Sequence, residues 1–221
     1  MNAFPISIDT GRRSLLLAGA GALLLPCAYA DTKPAALPAT PAQTEGPFYP
    51  QASFFSTRSD VDSDLLTVPG AREASRGIPL ALSGRILASD GRPLAGALVE
   101  IWQCDARGQY AYDMPTIYRA ESGFQGFGRA ITSASGAYAF RTIRPVPYAG
   151  RPPHIHFKVW SSADKARQEL LTTQMYVRGE AYANDFVLRA VRNDAARERL
   201  IADLVQKGNE LTAQWDVVVA V

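Results

Sequence analysis

The chain has 221 residues, 47% of them hydrophobic and 20% charged, with a formal net charge of +2. That length and composition fit one ordinary globular domain with a substantial core. With 23 Lys+Arg against 21 Asp+Glu, there is no basic stripe to neutralise a phosphate backbone, so no nucleic-acid partner is expected.

In chain order, residues 1–30 read as an export signal: Arg12-Arg13, the apolar run Leu15–Leu25, then Ala28-Tyr29-Ala30 as a small-residue cleavage site. The run is too short to span a bilayer, so no stable membrane insertion is expected. Paired arginines ahead of a Leu/Ala/Gly segment resemble a twin-arginine signal, which predicts an exported, periplasmic protein. Gly11 and Leu16 depart from that pattern, and ordinary secretion is the alternative. Pro26 directly before Cys27 argues against a lipid anchor at that cysteine. With Cys27 in the signal, Cys104 is alone in the mature chain and no internal disulfide can form. Stability must then come from the core or from a bound metal.

Residues 31–43, rich in Pro and Ala and without an apolar period, predict an extended, exposed linker ahead of a domain spanning 44–221. From Leu80 onward short strand-like runs alternate with turn signals: Leu80–Leu87, Asp90-Gly91, Ala97–Cys104, a loop, Ala130–Thr132, Ser135-Gly136, Ala137–Arg141, His154–Trp160 and Leu170–Val177. This spacing predicts an all-β fold, an antiparallel β-sandwich with loop excursions. One late helix is predicted: Asn193 or Asp194 caps it, Leu200, Ile201, Leu204 and Val205 form its apolar stripe, and Gly208 stops it. Trp215–Val221 reads as a closing strand.

The only two histidines, His154 and His156, stand one residue apart in a predicted strand. Residues two apart on a strand share a face, so both imidazoles could meet one ion, and neutral imidazole is the commonest metal ligand. A polar solvent face explains a bare H-x-H equally well, so its neighbours decide. Tyr148 lies six residues upstream in a loop bounded by Pro and Gly, and Tyr110 follows the Val99–Trp102 strand in Gly108-Gln109-Tyr110. For any one of the nine tyrosines taken alone, an ordinary hydrogen-bonded hydroxyl is the simpler reading. Tyr112 and Tyr118 lie close to Tyr110 in sequence. Zinc usually takes Cys, His or carboxylate ligands, and Cys104, on or beside a strand, reads as a small buried hydrophobe.

Taken together, these residues closely resemble the intradiol ring-cleavage dioxygenases, from about Thr44 to the C-terminus. The anchors are Thr44-Glu45-Gly46-Pro47-Phe48-Tyr49, Gly84-Arg85-Ile86, Gly91 to Glu100 with Trp102, Gly108-Gln109-Tyr110, Gly136-Ala137-Tyr138, Arg141 to Pro145, Arg151 to His156 and Leu171-Thr172-Thr173-Gln174. Tyr110 is preferred over its two neighbours because Gly108-x-Tyr110 is the matching element. The resemblance implies a mononuclear ferric ion, Fe(3+), held by Tyr110, Tyr148, His154 and His156. Anionic oxygen and imidazole donors suit a hard, highly charged ion. A phenol with a pKa of ~10 is neutral at pH 7, so binding must release protons.

The resemblance further implies that Arg151 stabilises negative charge on the substrate ring, a role suited to an always-protonated planar group. A solvated arginine at a strand entrance is the simpler alternative. Gln174 matches a pocket glutamine that orients the ring or the oxygen, and Tyr49 matches an aromatic at the pocket mouth. The implied reaction inserts both atoms of O2 between the two hydroxyl-bearing carbons of a catechol, giving a muconate-type diacid, with Tyr148 as the ligand displaced by substrate. One departure stands out. Only Ala149-Gly150 separate Tyr148 from Arg151, where family members have a longer loop, which implies a more open pocket and leaves the ring substituent open, with protocatechuate or a related lignin-derived catechol slightly favoured. Assembly into a homo-oligomer or with a sister subunit is also implied. The rival class is a secreted, metal-free β-sandwich binding module, which Gly84 to Ala97 and Gly136 to Phe140 would equally fit. The four-residue metal set discriminates between them.

Overall fold

The computed structural model describes residue 1 and residues 35–57, 61–110, 120–182 and 184–221. The expected export signal, Tyr112 and Tyr118 lie outside the described residues. Two five-stranded sheets carry the fold. In the first, β1 (Pro79–Ala88) pairs on one edge with β4 (Ala137–Ile143). Its other edge pairs first with β9 (Glu210–Gln214) and then with β10 (Val217–Val219), while β8 (Val205–Lys207) lies outside β9. In the second the order is β3 (Phe127–Ile131), β2 (Leu98–Trp102), β5 (His154–Trp160), β6 (Glu169–Val177), β7 (Ile201–Ala202). Among the described residues three short helices accompany them: α1 (Ala52–Thr57), α2 (Phe186–Ala190) and α3 (Asp194–Glu198). Among the described residues, no helix is long and apolar enough to cross a membrane.

Period-two alternation places the core. Leu80, Leu82 and Ile86 of β1 and Tyr138 and Phe140 of β4 point inward, against Val99 and Ile101 of β2, Ile155, Phe157 and Val159 of β5 and Met175 of β6. Trp215, between β9 and β10, packs edge-on to Phe157 with ring centroids 4.8 Å apart. Its carbonyl accepts from Tyr138 Oη at 2.5 Å. A Cβ on Gly84 would lie 1.9 Å from that carbonyl oxygen, so only glycine lets β1 approach the bend.

The outer face of the second sheet is covered as well, which is why all five residues of β2 are buried. Residues 43–55 lie over it: Gln43 N–H donates to Thr172 O at 2.8 Å, and Lys158 pairs with Glu45. Polar residues gather on this covered face. Glu100, His154, His156, Lys158 and Gln174 are all buried, and the register sets Trp102 and Gln174 on either side of His156.

The fold is the expected all-β sandwich, with three differences in detail. The sheets are mixed, because β1 pairs in parallel with β9 and β10, and β6 with β7. The late helix is capped by Asn193 as expected, its side chain accepting from Ala196 N–H at 2.9 Å, but it ends at Glu198. The edge of β6 supplies the reason: Tyr176 and Arg178 N–H donate to Leu200 and Ala202 carbonyls at 2.7 and 2.9 Å. Pairing and burial of β-branched Ile201 override the helical stripe, and Val205 is left exposed. Finally, residues 35–43 are bonded to the domain and are not a free linker, although residues 35–38 are exposed. Leu37 N–H donates to Ser89 O at 2.7 Å and Thr40 N–H to Val218 O at 2.9 Å, with the Thr40 side chain buried.

Candidate active site

Strand β5 sends Ile155, Phe157 and Val159 into the core, so His154 and His156 emerge together on the covered face, with ring centroids 4.9 Å apart. The partners of His154 fix its tautomer. Nδ1 lies 2.7 Å from Pro152 O, which can only accept, and Nε2 lies 3.2 Å from Arg151 Nη1, which can only donate. Nδ1 therefore carries the proton, and the lone pair is on Nε2. His156 stacks on Trp102 at 4.8 Å and 10°, and a Cβ on Gly46 would sit 3.5 Å from its Cε1. Its Nδ1 is buried with no hydrogen-bond partner. Burial pushes the His154 pKa down to about 4, with the Arg151 charge adding to it. The same burial holds His156 well below the ordinary imidazole range, reinforced by His154 and Arg151. Both rings are neutral at pH 7, the form that donates to a metal.

Tyr110 leaves a turn built on Asp105. The Asp105 carboxylate accepts from the N–H groups of Arg107, Gln109 and Glu121 at 2.8–2.9 Å, and Gly108 takes φ +76°. A Cβ on Gly108 would meet Pro147 O at 3.5 Å and the Tyr148 ring at 3.7 Å, so this loop packs directly on the Tyr148 loop. Tyr110 and Tyr148 meet edge-to-face at 5.4 Å. Phe48 stacks on Tyr110 at 4.5 Å and sets its edge against Tyr148 at 5.2 Å. Tyr148 and Arg151 form a two-residue hairpin through Ala149 (φ +46°) and Gly150 (φ +77°), the pair of positive φ angles that a type I′ turn requires.

The structure thus brings the two tyrosines together and the two histidines together. It joins the pairs through Trp102, which lies in the aromatic cluster of Tyr110, Phe48 and Tyr148 and stacks on His156, and through Arg151, which follows Tyr148 across the hairpin and reaches His154. Among the described residues no group of three or more His, Cys, Asp or Glu is placed to hold a metal ion. Among the described residues, the donors that stand with the two imidazoles here are the two tyrosines. An orphaned buried imidazole nitrogen, two neutral imidazoles and two adjacent phenols fit a hard ion well. Cys104 is buried, and burial, with Asp105 beside it, pushes its thiol up to about 12.

Arg151 is not a solvated loop residue. Nε donates to Asp185 Oδ2 at 2.7 Å, and Nη2 donates to Gln174 Oε1 at 2.8 Å, Tyr176 Oη at 2.9 Å and Asp185 Oδ1 at 3.2 Å. Gln174, expected at the site, is there, and its Nε2 donates to Thr44 O at 3.0 Å. Burial would raise the Asp185 carboxyl, but the Arg151 guanidinium and the Leu188 N–H outweigh it and hold the group below the ordinary carboxylate range. Tyr49, expected at the pocket mouth, sets its ring edge against Trp102 at 5.0 Å and donates its hydroxyl to Glu100 Oε2 at 2.7 Å. The fully buried Glu100 also receives Trp160 Nε1 and Arg129 Nε, both at 2.8 Å. Asp185, Tyr176 and Glu100 were missed by sequence reasoning. Asp185 alone left a signal, as a capping residue ahead of a helix.

Comparison with known proteins identifies the family. Residues 45–220 match the family model described as Dioxygenase. Over 175 residues the chain is 35% identical to the protocatechuate 3,4-dioxygenase beta chain of Burkholderia cepacia, covering 72% of this chain and 71% of the relative. Over 222 residues it is 32% identical to catechol 1,2-dioxygenase 1 of Acinetobacter lwoffii, covering 89% of this chain but only 64% of the relative. Among solved structures, the dioxygenase domain of a dioxygenase carbohydrate-binding protein fusion from Streptomyces sp. SirexAA-E superposes with a TM-score of 0.58 at 30% identity, covering 83% of this chain and 99% of that one. The chain belongs to the intradiol ring-cleavage dioxygenase family. It is therefore an oxidoreductase by family, and the metal-free binding module is set aside.

Proposed function

We propose that the chain is a non-haem ferric dioxygenase that opens a catechol ring between its two hydroxyl-bearing carbons with O2, yielding a muconate-type diacid. The observation that carries this reading is a pair of buried, neutral imidazoles linked through Trp102 and the clamped Arg151 to a second pair, buried Tyr110 and half-buried Tyr148. Tyr110, Tyr148, His154 and His156 would hold Fe(3+), which when bound supplies Lewis acidity and a template for the diol.

The chain's own residues do the rest. Tyr148, held at a hairpin end, would be the ligand that yields to a diol, and its oxygen would then be the atom that takes a proton from a catechol hydroxyl. Arg151 offers a fixed positive charge where negative charge develops on the ring. Gln174, oriented by Thr44 O and Arg151, presents its amide beside that charge. Phe48 and Trp102 pack around the tyrosines and His156, shielding them from water. The two-residue hairpin leaves the Tyr148 wall low, which favours a substituted ring, protocatechuate or a related lignin-derived catechol, over strict confinement to catechol.

Export to the periplasm through residues 1–30 and a catalytic domain over 44–221, with residues 35–43 bonded onto it, belong to the same reading. So does assembly with further copies or a sister subunit, supported by relatives named as the beta and alpha chains of protocatechuate 3,4-dioxygenase. Turnover of catechol and protocatechuate under 18O2 tests the reaction. A ring-opened diacid carrying two labelled oxygens is expected, and a semialdehyde from cleavage outside the two hydroxyl-bearing carbons would overturn the assignment.

A further inference from the structure

We infer that Asp185 is a positioning residue for Arg151, fixing which edge of the guanidinium faces the histidines. The inference rests on the reading of Arg151 as the cation that faces the substrate ring. An arginine carries five donors on a planar fork and a flexible stem, so its charge has a defined place only where something locks the plane. Asp185 takes the Nε and Nη2 edge in a two-point pair at 2.7 and 3.2 Å. Gln174 and Tyr176 also accept from Nη2, and Nη1 alone is directed at His154 Nε2. An ion taken up by that nitrogen would compete with Nη1 for the same lone pair. Asp185, with Gln174 and Tyr176 accepting from the same Nη2, then keeps the guanidinium in place, and Asp185 alone holds it through Nε and with a full negative charge.

Asp185 can do this because it is itself immobile. Its side chain is fully buried. Oδ1 accepts from Leu188 N–H at 2.7 Å as the cap of α2, and its own N–H donates to Tyr182 O at 3.0 Å. Phe186, the next residue, places its ring 5.8 Å from the Arg151 guanidinium carbon. The rigidity of the α2 start is thereby transmitted to a residue 34 positions earlier in the chain.

Asp185→Asn tests this, because Asn caps a helix as well as Asp does while the charged two-point pair is lost. In the metal-free full-length chain, phenylglyoxal labelling of Arg151, mapped by peptide mass spectrometry, should be several-fold faster than in wild type. In the iron-loaded chain, iron content and visible absorption should match wild type. There kcat should fall about tenfold, with KM changed by less than about threefold, as expected when a group acting mainly in the transition state is displaced. Asp185→Glu keeps the charge and should restore protection and kcat in part, and it carries the same comparison if Asp185→Asn fails to fold. Unchanged Arg151 labelling, or faster labelling with kcat per iron unchanged, would overturn the inference. If wild type cleaves no catechol yet Asp185 still protects Arg151, the dioxygenase reading fails while the positioning stands.

Discussion

Tyr148 and Arg151 bond to each other across two residues. Arg151 N–H donates to Tyr148 O at 2.8 Å and Tyr148 N–H to Arg151 O at 3.2 Å. The proposed mobile ligand and the proposed ring-facing cation are thus the two ends of one hairpin turn, and the geometry of that turn sets their separation. Ala149 is the one non-glycine residue with positive φ among the described residues. Left-handed backbone costs an L-residue roughly 1–2 kcal/mol, partly offset by the lower unfolded-state entropy of Ala relative to Gly. Ala149→Gly should raise stability by up to about 1 kcal/mol in denaturant titration. Ala149→Val, β-branched at the same angle, should lower it and reduce iron retention. The opposite order would remove turn strain from the account.

Arg151→Lys keeps a cation near Asp185 but loses the planar fork. Arg151→Ala would instead leave a buried carboxylate unpaired, a change costing about 3–5 kcal/mol, so lysine is the cleaner probe. The variant should retain iron and colour while kcat falls on the order of 10–100-fold, the scale of losing a preorganised electrostatic donor. Loss of iron along with activity would make Arg151 a structural element of the metal site.

Tyr49→Phe separates two roles. Its hydroxyl satisfies buried Glu100, and removing one donor from a buried acceptor costs about 1–3 kcal/mol. Thermal or denaturant unfolding should show that loss, with KM for the diol changed by less than about threefold. A large rise in KM at unchanged stability would place the hydroxyl in the pocket.

Cys104 should be inert in the native chain. With its thiol at about 12, the thiolate needed for alkylation is nearly absent at pH 8. Iodoacetamide should label Cys104 only under unfolding conditions, read by peptide mass spectrometry. Rapid native labelling would contradict the buried, unionised thiol.

The sheet framework and the ligand candidates were legible because they are written locally. Residues 154–159 alternate polar and apolar, the apolar set entering the core and the polar set lying on the covered face, and the Asn193 cap lies three residues from the amide it receives. What sequence left out is long-range or conditional. The stripe through Leu200 and Ile201 has helical spacing, but the open edge of β6 captures it as a strand. The Pro/Ala-rich residues before 44 look solvated until the amides of Leu37, Thr40 and Gln43 find carbonyls on the domain. Asp185 and Glu100 belong to pairs set 34 and 51 residues apart, which no periodicity reports. Ala-Gly lacks the Asn or Asp that normally announces a type I′ turn, so the tight coupling of Tyr148 to Arg151 emerges only in three dimensions.

The most direct test of the central claim is the visible absorption spectrum of the purified chain, taken together with its iron content and compared with Tyr110→Phe and Tyr148→Phe. About one ferric ion per chain is expected, a count set by a single four-ligand site, together with a strong tyrosinate-to-iron charge-transfer band that weakens or shifts in each variant. A colourless, iron-free chain that takes up no ferric iron on reconstitution would contradict that claim.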